Sequence, residues 1–143
     1  MDPVILREKL ESLRRCIARV EAKRPASVAE LESDLDLQDI VVLNLTRAVQ
    51  LCVDIGTHLI SSTESTAPRS MGEVFIALEG LGAISQETTA AMRRAVGFRN
   101  VAVHNYDVIN WAIVHAISQR HLGDFHQFAR EVSRKLEGDP MAR

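Results

Sequence analysis

The chain has 143 residues, with 17 Lys and Arg against 19 Asp and Glu, a formal charge of −2, and 46% hydrophobic and 25% charged residues. This is the balance of an ordinary water-exposed globule, one domain spanning 1–143 and large enough to bury a core. It excludes binding to nucleic acid through the overall field; any such contact needs a local basic patch, or patches paired across an oligomer.

Asp2-Pro3 places an N-cap before a proline at the first helical position. Leu6, Leu10, Leu13, Ile17 and Val20 then recur at helical spacing until Pro25 ends the helix. Ser27 and Glu30 form a capping-box pattern that opens a short helical turn. A long helix is expected over residues 37–60, with Leu37, Val41, Leu45, Ala48, Cys52, Ile55 and Leu59 on one stripe. Ile40, Leu43, Val53 and Ile60 widen that stripe, as for a helix buried on several sides or meeting a second subunit. Residues 61–70 are rich in Ser, Thr and Pro and read as a loop.

A short helix follows over residues 71–79, capped by Gly80-x-Gly82, which lacks the third glycine and preceding strand of a phosphate loop. Ser85, with Glu87 in the first turn, opens the next helix. The last two helices are expected over residues 108–120, lined by Ile109, Ile113, Ala116 and Ile117, and 124–136, lined by Phe125, Phe128, Val132 and Leu136. With no alternating strand and no repeat, the expected fold is an all-α, up-down bundle of four to five main helices. Cys16 and Cys52 lack C-x-x-C spacing and read as buried thiols in a reducing compartment. No basic region followed by an apolar core opens the chain, and no apolar run approaches the ~20 residues that span a bilayer. A cytoplasmic protein without a membrane contact is the expectation.

The run Arg99-Asn100-Val101-Ala102-Val103-His104-Asn105-Tyr106 gathers a fixed cation, an amide, an imidazole and a phenol. Metal-free cleavage of RNA needs a base for the 2′-OH, an acid for the departing 5′-oxygen and a cation for the crowded phosphorus. Histidine suits the first two roles and arginine the third. Spacing adds a constraint. Asn100 and His104 share a helix face, as do Arg99 and Tyr106, whereas Arg99 and His104 lie about 140° apart on a straight helix. Either the backbone loosens near residues 103–105, or two copies of the motif face each other across a two-fold axis. The dimer also supplies two histidines, one as base and one as acid. The competing interpretation is a polar network that merely ties two helices together.

Gly97-Phe98-Arg99-Asn100 followed by His104-x-Tyr106 resembles the R-x4-H-x-Y signature of the HepT-like branch of the HEPN superfamily. The resemblance extends to Val53-Asp54-Ile55 with His58-Leu59-Ile60, to residues 69–84 and to the Val-Gly-Phe-Arg-Asn run, nearly the whole chain. It implies a two-fold homodimer in which Arg99 and His104 form a composite cleft and carry out metal-independent RNA cleavage, endonucleolytic rather than exonucleolytic, with no cofactor. It also implies a toxin–antitoxin pair, whose nucleotidyltransferase (MNT-domain) antitoxin attaches AMP to Tyr106. Asn100 would orient the substrate or the imidazole. A non-catalytic helical module that binds a nucleotide or a nucleotidyltransferase is the alternative.

Several other residues allow two interpretations. Asp54 and His58, four apart, could form a carboxylate–imidazole pair supporting the site, or a structural hydrogen bond. Arg93 and Arg94 could guide RNA towards the cleft. The basic residues Arg14, Arg15, Arg19, Lys23 and Arg24 are interleaved with Glu8, Glu11 and Glu21 and read as a solvated face. His115, His121 and His126 lack the spacing of a helical zinc site and read as structural or solvated. Phe98, Tyr106 and Trp111 could stack bases or pack the core.

Overall fold

The computed structural model describes residues 2–138. It is all-α, with α1 Pro3–Lys23, α2 Val28–Ser33, α3 Leu35–Ser61, α4 Met71–Gly80 and α5 Gln86–His104. A 3₁₀ turn, Tyr106–Val108, leads into α6 Trp111–Ala116, a π segment Ile117–His121 and α7 Leu122–Glu137.

Local caps set the helix starts. Asp2 accepts the Val4 N–H at 2.9 Å, and Ser27 accepts the Glu30 N–H at 3.2 Å. The Glu30 carboxylate reaches back to the Ala26 N–H at 3.3 Å. Asp34 caps α3 through the Leu37 N–H at 3.1 Å, so this helix begins two residues before the apolar stripe does. At the end of α4, Gly82 takes φ +73°, the Gly82 N–H donates to Glu79 and the Ala83 N–H to Leu78, both at 2.9 Å. This is a Schellman end, which needs a residue free of Cβ strain at that position.

Four helices make the bundle: α1 packs on α3 and α7, and α5 packs on α3 and α7. The short α4 lies across α3 and α5 and sends Phe75 edge-on to Phe128 of α7, ring centroids 5.8 Å apart. The expected stripes of α1 and α7 are buried in full. Of the apolar residues widening α3, Val53 and Ile60 are buried, but Leu43 is 48% exposed. Contrary to the expectation that no segment approaches a membrane span, α3 is long and apolar enough to cross one by length and composition. Its stripe is occupied instead by packing, with Val41, Leu45, Ala48, Cys52 and Ile55 all buried inside the bundle.

Two expectations at the C-terminal end are corrected. Residues 108–110 are not part of the α-helix: Val108 closes the 3₁₀ turn, Ile109 leaves the helical region with φ −59° and ψ 129°, and Asn110 is the N-cap, its Oδ1 accepting the Ala112 N–H at 2.9 Å. Ile109 and Ile117 pack against the core as expected, but Ile113 is 54% exposed, and Val114 and Ser118 are buried instead. The break expected between residues 120 and 124 is also absent, because the π segment carries the helical path from α6 into α7. A π turn leaves backbone groups in need of partners. One of them, the Ser118 carbonyl, accepts from the Arg24 guanidinium at 3.1 Å, while the Gln119 side chain ties the segment to the Pro25 carbonyl at 2.8 Å.

Candidate active site at the end of α5

α5 is held at its start by Ser85, which accepts the Thr88 N–H at 3.1 Å, and by Glu131 of α7. Glu131 accepts the Ser85 N–H at 2.5 Å and the Thr88 hydroxyl. Thr88, Met92 and Val96 continue this anchored stripe into the core. Three residues further along the same face comes Arg99, half-buried where the core runs out.

The helix stays regular through His104 and ends at Asn105, with φ −150° and ψ 52°. The backbone therefore does not loosen between Arg99 and His104. They project about 140° apart, as an unbroken helix requires. Arg99 Nη1 lies 3.4 Å from Asn100 Oδ1, which accepts from it. Asn100 and His104 are exposed and share a stripe with Arg93 and Gly97. Arg93 also overlies the start of α4, its Nε 3.9 Å from where a Cβ on Gly72 would sit. Arg94 turns the other way, onto an apolar cavity of about 500 Å³ between α5 and the α6–α7 path. Phe98 and Val101 line that cavity from α5, and Val108 and Ile113 from beyond the motif. Around the cavity Val101 is 40%, Val108 60% and Ile113 54% exposed, an apolar rim of the sort that a partner surface covers.

Tyr106 stands in the 3₁₀ turn just past the helix end. Its hydroxyl donates to Asp39 Oδ1 of α3 at 3.4 Å, and its ring meets Trp111 edge-on at 6.0 Å between centroids. Burial, the nearby Asp39 charge and that hydrogen bond together push the phenol above its ordinary pKa. Asp39 is the site residue the sequence does not signal: an acid in the first turns of a helix reads as a favourable terminal charge. Trp111 and Phe98 are half-buried against the core.

Asp54 sits elsewhere. Its carboxylate accepts from Gln50 Nε2 at 3.0 Å and pairs with Lys9 Nζ at 3.8 Å, on the α1–α3 face, rather than bonding to His58. His121 pairs with Asp124 at 3.4 Å and His126 with Glu21 at 3.3 Å, while His115 Nε2 is buried without a hydrogen-bond partner. Among the described residues, no three His, Cys, Asp or Glu side chains are placed to hold a metal ion. Both cysteines are free thiols; Cys52 is buried as expected, whereas Cys16 is only half-buried.

An all-helical bundle with an Arg-x4-His-x-Tyr motif at the exposed end of one long helix has the architecture of a HEPN-type protein. The family described as Ribonuclease HepT-like matches residues 8–132. The chain is 35% identical over 128 residues to the mRNA nuclease HepT of Shewanella oneidensis, spanning 90% of this chain and 95% of that protein. It is 27% identical over 110 residues to the tRNA nuclease HepT of Aphanizomenon flos-aquae, spanning 77% and 75% of the two chains. The solved structure of the tri-AMPylated Shewanella oneidensis HEPN toxin in complex with MNT antitoxin superposes with a TM-score of 0.84 at 33% identity, covering 91% of this chain and 97% of the toxin. The chain belongs to the HepT-like family.

Proposed function

We propose that this chain is a ribonuclease toxin that cuts RNA without a metal or cofactor, in a cleft shared by two copies of the chain. The observation that carries this reading is the Arg99-x4-His104-x-Tyr106 motif on the exposed end of α5, in a chain 35% identical to an mRNA nuclease over 90% of its length. The unbroken helix supports the shared cleft. One α5 points Arg99 and His104 in different directions, and a two-fold partner brings a second pair to the same phosphate. The apolar rim formed by Val101, Val108 and Ile113 would be buried by that partner.

In this cleft one His104 takes the proton of the 2′-OH as its oxygen attacks phosphorus. The other gives a proton to the departing 5′-oxygen, leaving a cyclic phosphate and a free 5′-hydroxyl. Arg99 of each copy pairs with the phosphate oxygens, with Asn100 steadying its guanidinium. Arg93, on the stripe of Asn100 and His104, adds positive charge along the approach, Arg94 adds it from the side of the neighbouring cavity, and Asp54 supports the fold of the long helix behind the site.

Tyr106 is the proposed AMP acceptor for a nucleotidyltransferase (MNT-domain) antitoxin. Its exposed phenol, in line with the AMPylated state of the Shewanella toxin, supports this role. An AMP group there would fill the phosphate site and offset the charge of Arg99.

The decisive experiment is cleavage of RNA by the purified, unmodified protein in EDTA, beside Arg99→Ala and His104→Ala. Cleavage should survive chelation and fall by about 10²- to 10⁴-fold in each variant. Wild-type cleavage rates in either variant would overturn the assignment. A chain that carries no AMP and still cuts nothing would be a non-catalytic binding module.

A further inference from the structure

A second polar feature lies away from the motif, along the face where α1 packs on α3. A groove of about 630 Å³ runs there, with Arg15, Cys16 and Arg19 on one wall and Leu43, Arg47 and Asp54 on the other. Its positive charge is unanswered. Arg15 donates only to the Ser12 hydroxyl, at 2.9 Å, and Arg19 and Arg47 have no hydrogen bond or ion pair among the described residues. The Asp54 carboxylate is already taken by Lys9 and Gln50. Arg47 and Arg15 approach from opposite walls closely enough to act on the Cys16 thiol, whose pKa burial pushes up and these two charges pull down.

A second basic cluster, between α1 and α7, is partly answered by acids. There Arg14 pairs with Glu11 at 3.3 Å, His126 with Glu21 at 3.3 Å, and Arg130 donates to Gln127 at 2.5 Å. The α1–α3 groove thus gathers three arginines without an acidic partner in a chain whose net charge is −2. Two arginines one turn apart on α1 repel each other without an anion between them.

The groove also has a direction. Asp39, Leu43 and Arg47 follow one another at four-residue steps on α3, so they share one face. Asp39 is the residue that holds Tyr106. Arg47 then lies about 12 Å further along the helix axis, at 1.5 Å per residue. The groove thus leads away from the end of the bundle that carries the motif, with Leu43, 48% exposed, as an apolar step between the two.

We propose that the α1–α3 groove is the track for the RNA strand beyond the cleavage point, with Arg15, Arg19 and Arg47 pairing with its phosphates. This rests on the ribonuclease reading above. Guanidinium forks without carboxylate partners match phosphate oxygens, and a lone exposed leucine offers a seat for a sugar or base rather than the apolar core that a protein partner needs.

The test is the salt dependence of binding to a labelled, mixed-sequence single-stranded oligoribonucleotide, in the His104→Ala background to keep the probe intact. Each phosphate neutralised on a single strand contributes about 0.7 to the slope of log affinity against log salt. Arg15→Gln/Arg19→Gln/Arg47→Gln should lower that slope by about 2, and the same three sites changed to Lys should restore it. Arg14→Gln/Arg130→Gln/Arg134→Gln removes the same charge from the other cluster and should leave the slope alone. Equal losses in the two Gln triples, or none in the groove triple, would overturn the proposal, as would a groove triple impaired only in binding the antitoxin. With His104 intact, the groove triple should raise KM for long RNA at least tenfold and keep kcat. If the wild type cuts RNA and the triple cuts it with unchanged KM, the groove assignment fails and the ribonuclease stands. If the slope falls as expected while the wild type cuts nothing, the groove binds RNA but the ribonuclease reading fails, and with it the groove's role as a track beyond a cleavage point.

Discussion

The Tyr106 hydroxyl donates to Asp39 Oδ1 across 3.4 Å, tying the segment that follows α5 to the first turns of α3. The chain has a single tyrosine, so its ionisation is read directly from tyrosinate absorbance. Asp39→Ala should lower the Tyr106 pKa towards the ordinary value, because the carboxylate charge and the hydrogen bond both hold the proton on. Burial remains, so the return should be partial. The folded-state pKa is raised above the unfolded one, so the contact stabilises the fold below the ordinary tyrosine range of about 10. That stability is lost as pH rises through the folded-state value. The difference in unfolding midpoint between wild type and Asp39→Ala should shrink in that alkaline window; a constant difference would mean that Asp39 acts without Tyr106.

A cleft on the two-fold axis makes a quantitative claim about mixed dimers. If both copies of His104 are needed, one as base and one as acid, a dimer with one His104→Ala chain is inactive. After subunit exchange, RNA cleavage should follow the square of the wild-type fraction. A linear dependence would show that each chain cuts by itself.

Glu131 holds the start of the helix that ends on the motif. Burial raises its pKa, but hydrogen bonds from Thr88, Ser85 and Gln127 outweigh this and leave it below the ordinary value. Glu131→Gln should cost about 1–3 kcal/mol at neutral pH, measured by urea denaturation. A lowered folded-state pKa gives stability that is complete above the unfolded value, about 4.3 for glutamate, and is lost as pH falls through the folded one. The gap between wild type and variant should therefore close in acid.

Close packing of α3 on α4 depends on one missing methyl group. A Cβ on Gly56 would lie 2.5 Å from Val74 Cγ1 and 3.0 Å from Leu78 Cδ1. Gly56→Ala should therefore destabilise by about 1–3 kcal/mol despite alanine's better helix propensity, seen as a lower thermal midpoint. An unchanged or raised midpoint would show that α4 moves aside at no cost.

The amino-acid sequence by itself determined the helices, most of their caps and the composition of the motif. Those features act within a turn or two: Asp2, Ser27, Ser70 and Ser85 each accept an N–H two or three residues on. The stripes of α1 and α7 are legible for the same reason, since a regular period repeats one buried face. The tertiary structure alone decided what joins distant segments. Asp39 meets Tyr106 across 67 positions, and Arg24 reaches the Ser118 carbonyl across 94. The second of these supports the π segment that merges α6 with α7, which periodicity read as two helices. Arg47 shows the same limit: along the chain it is one more cation on a polar face, and only the packing of α3 on α1 brings it opposite Arg15. Helical period and capping depend on neighbours in sequence, whereas the pairing of charges depends on which helix faces meet.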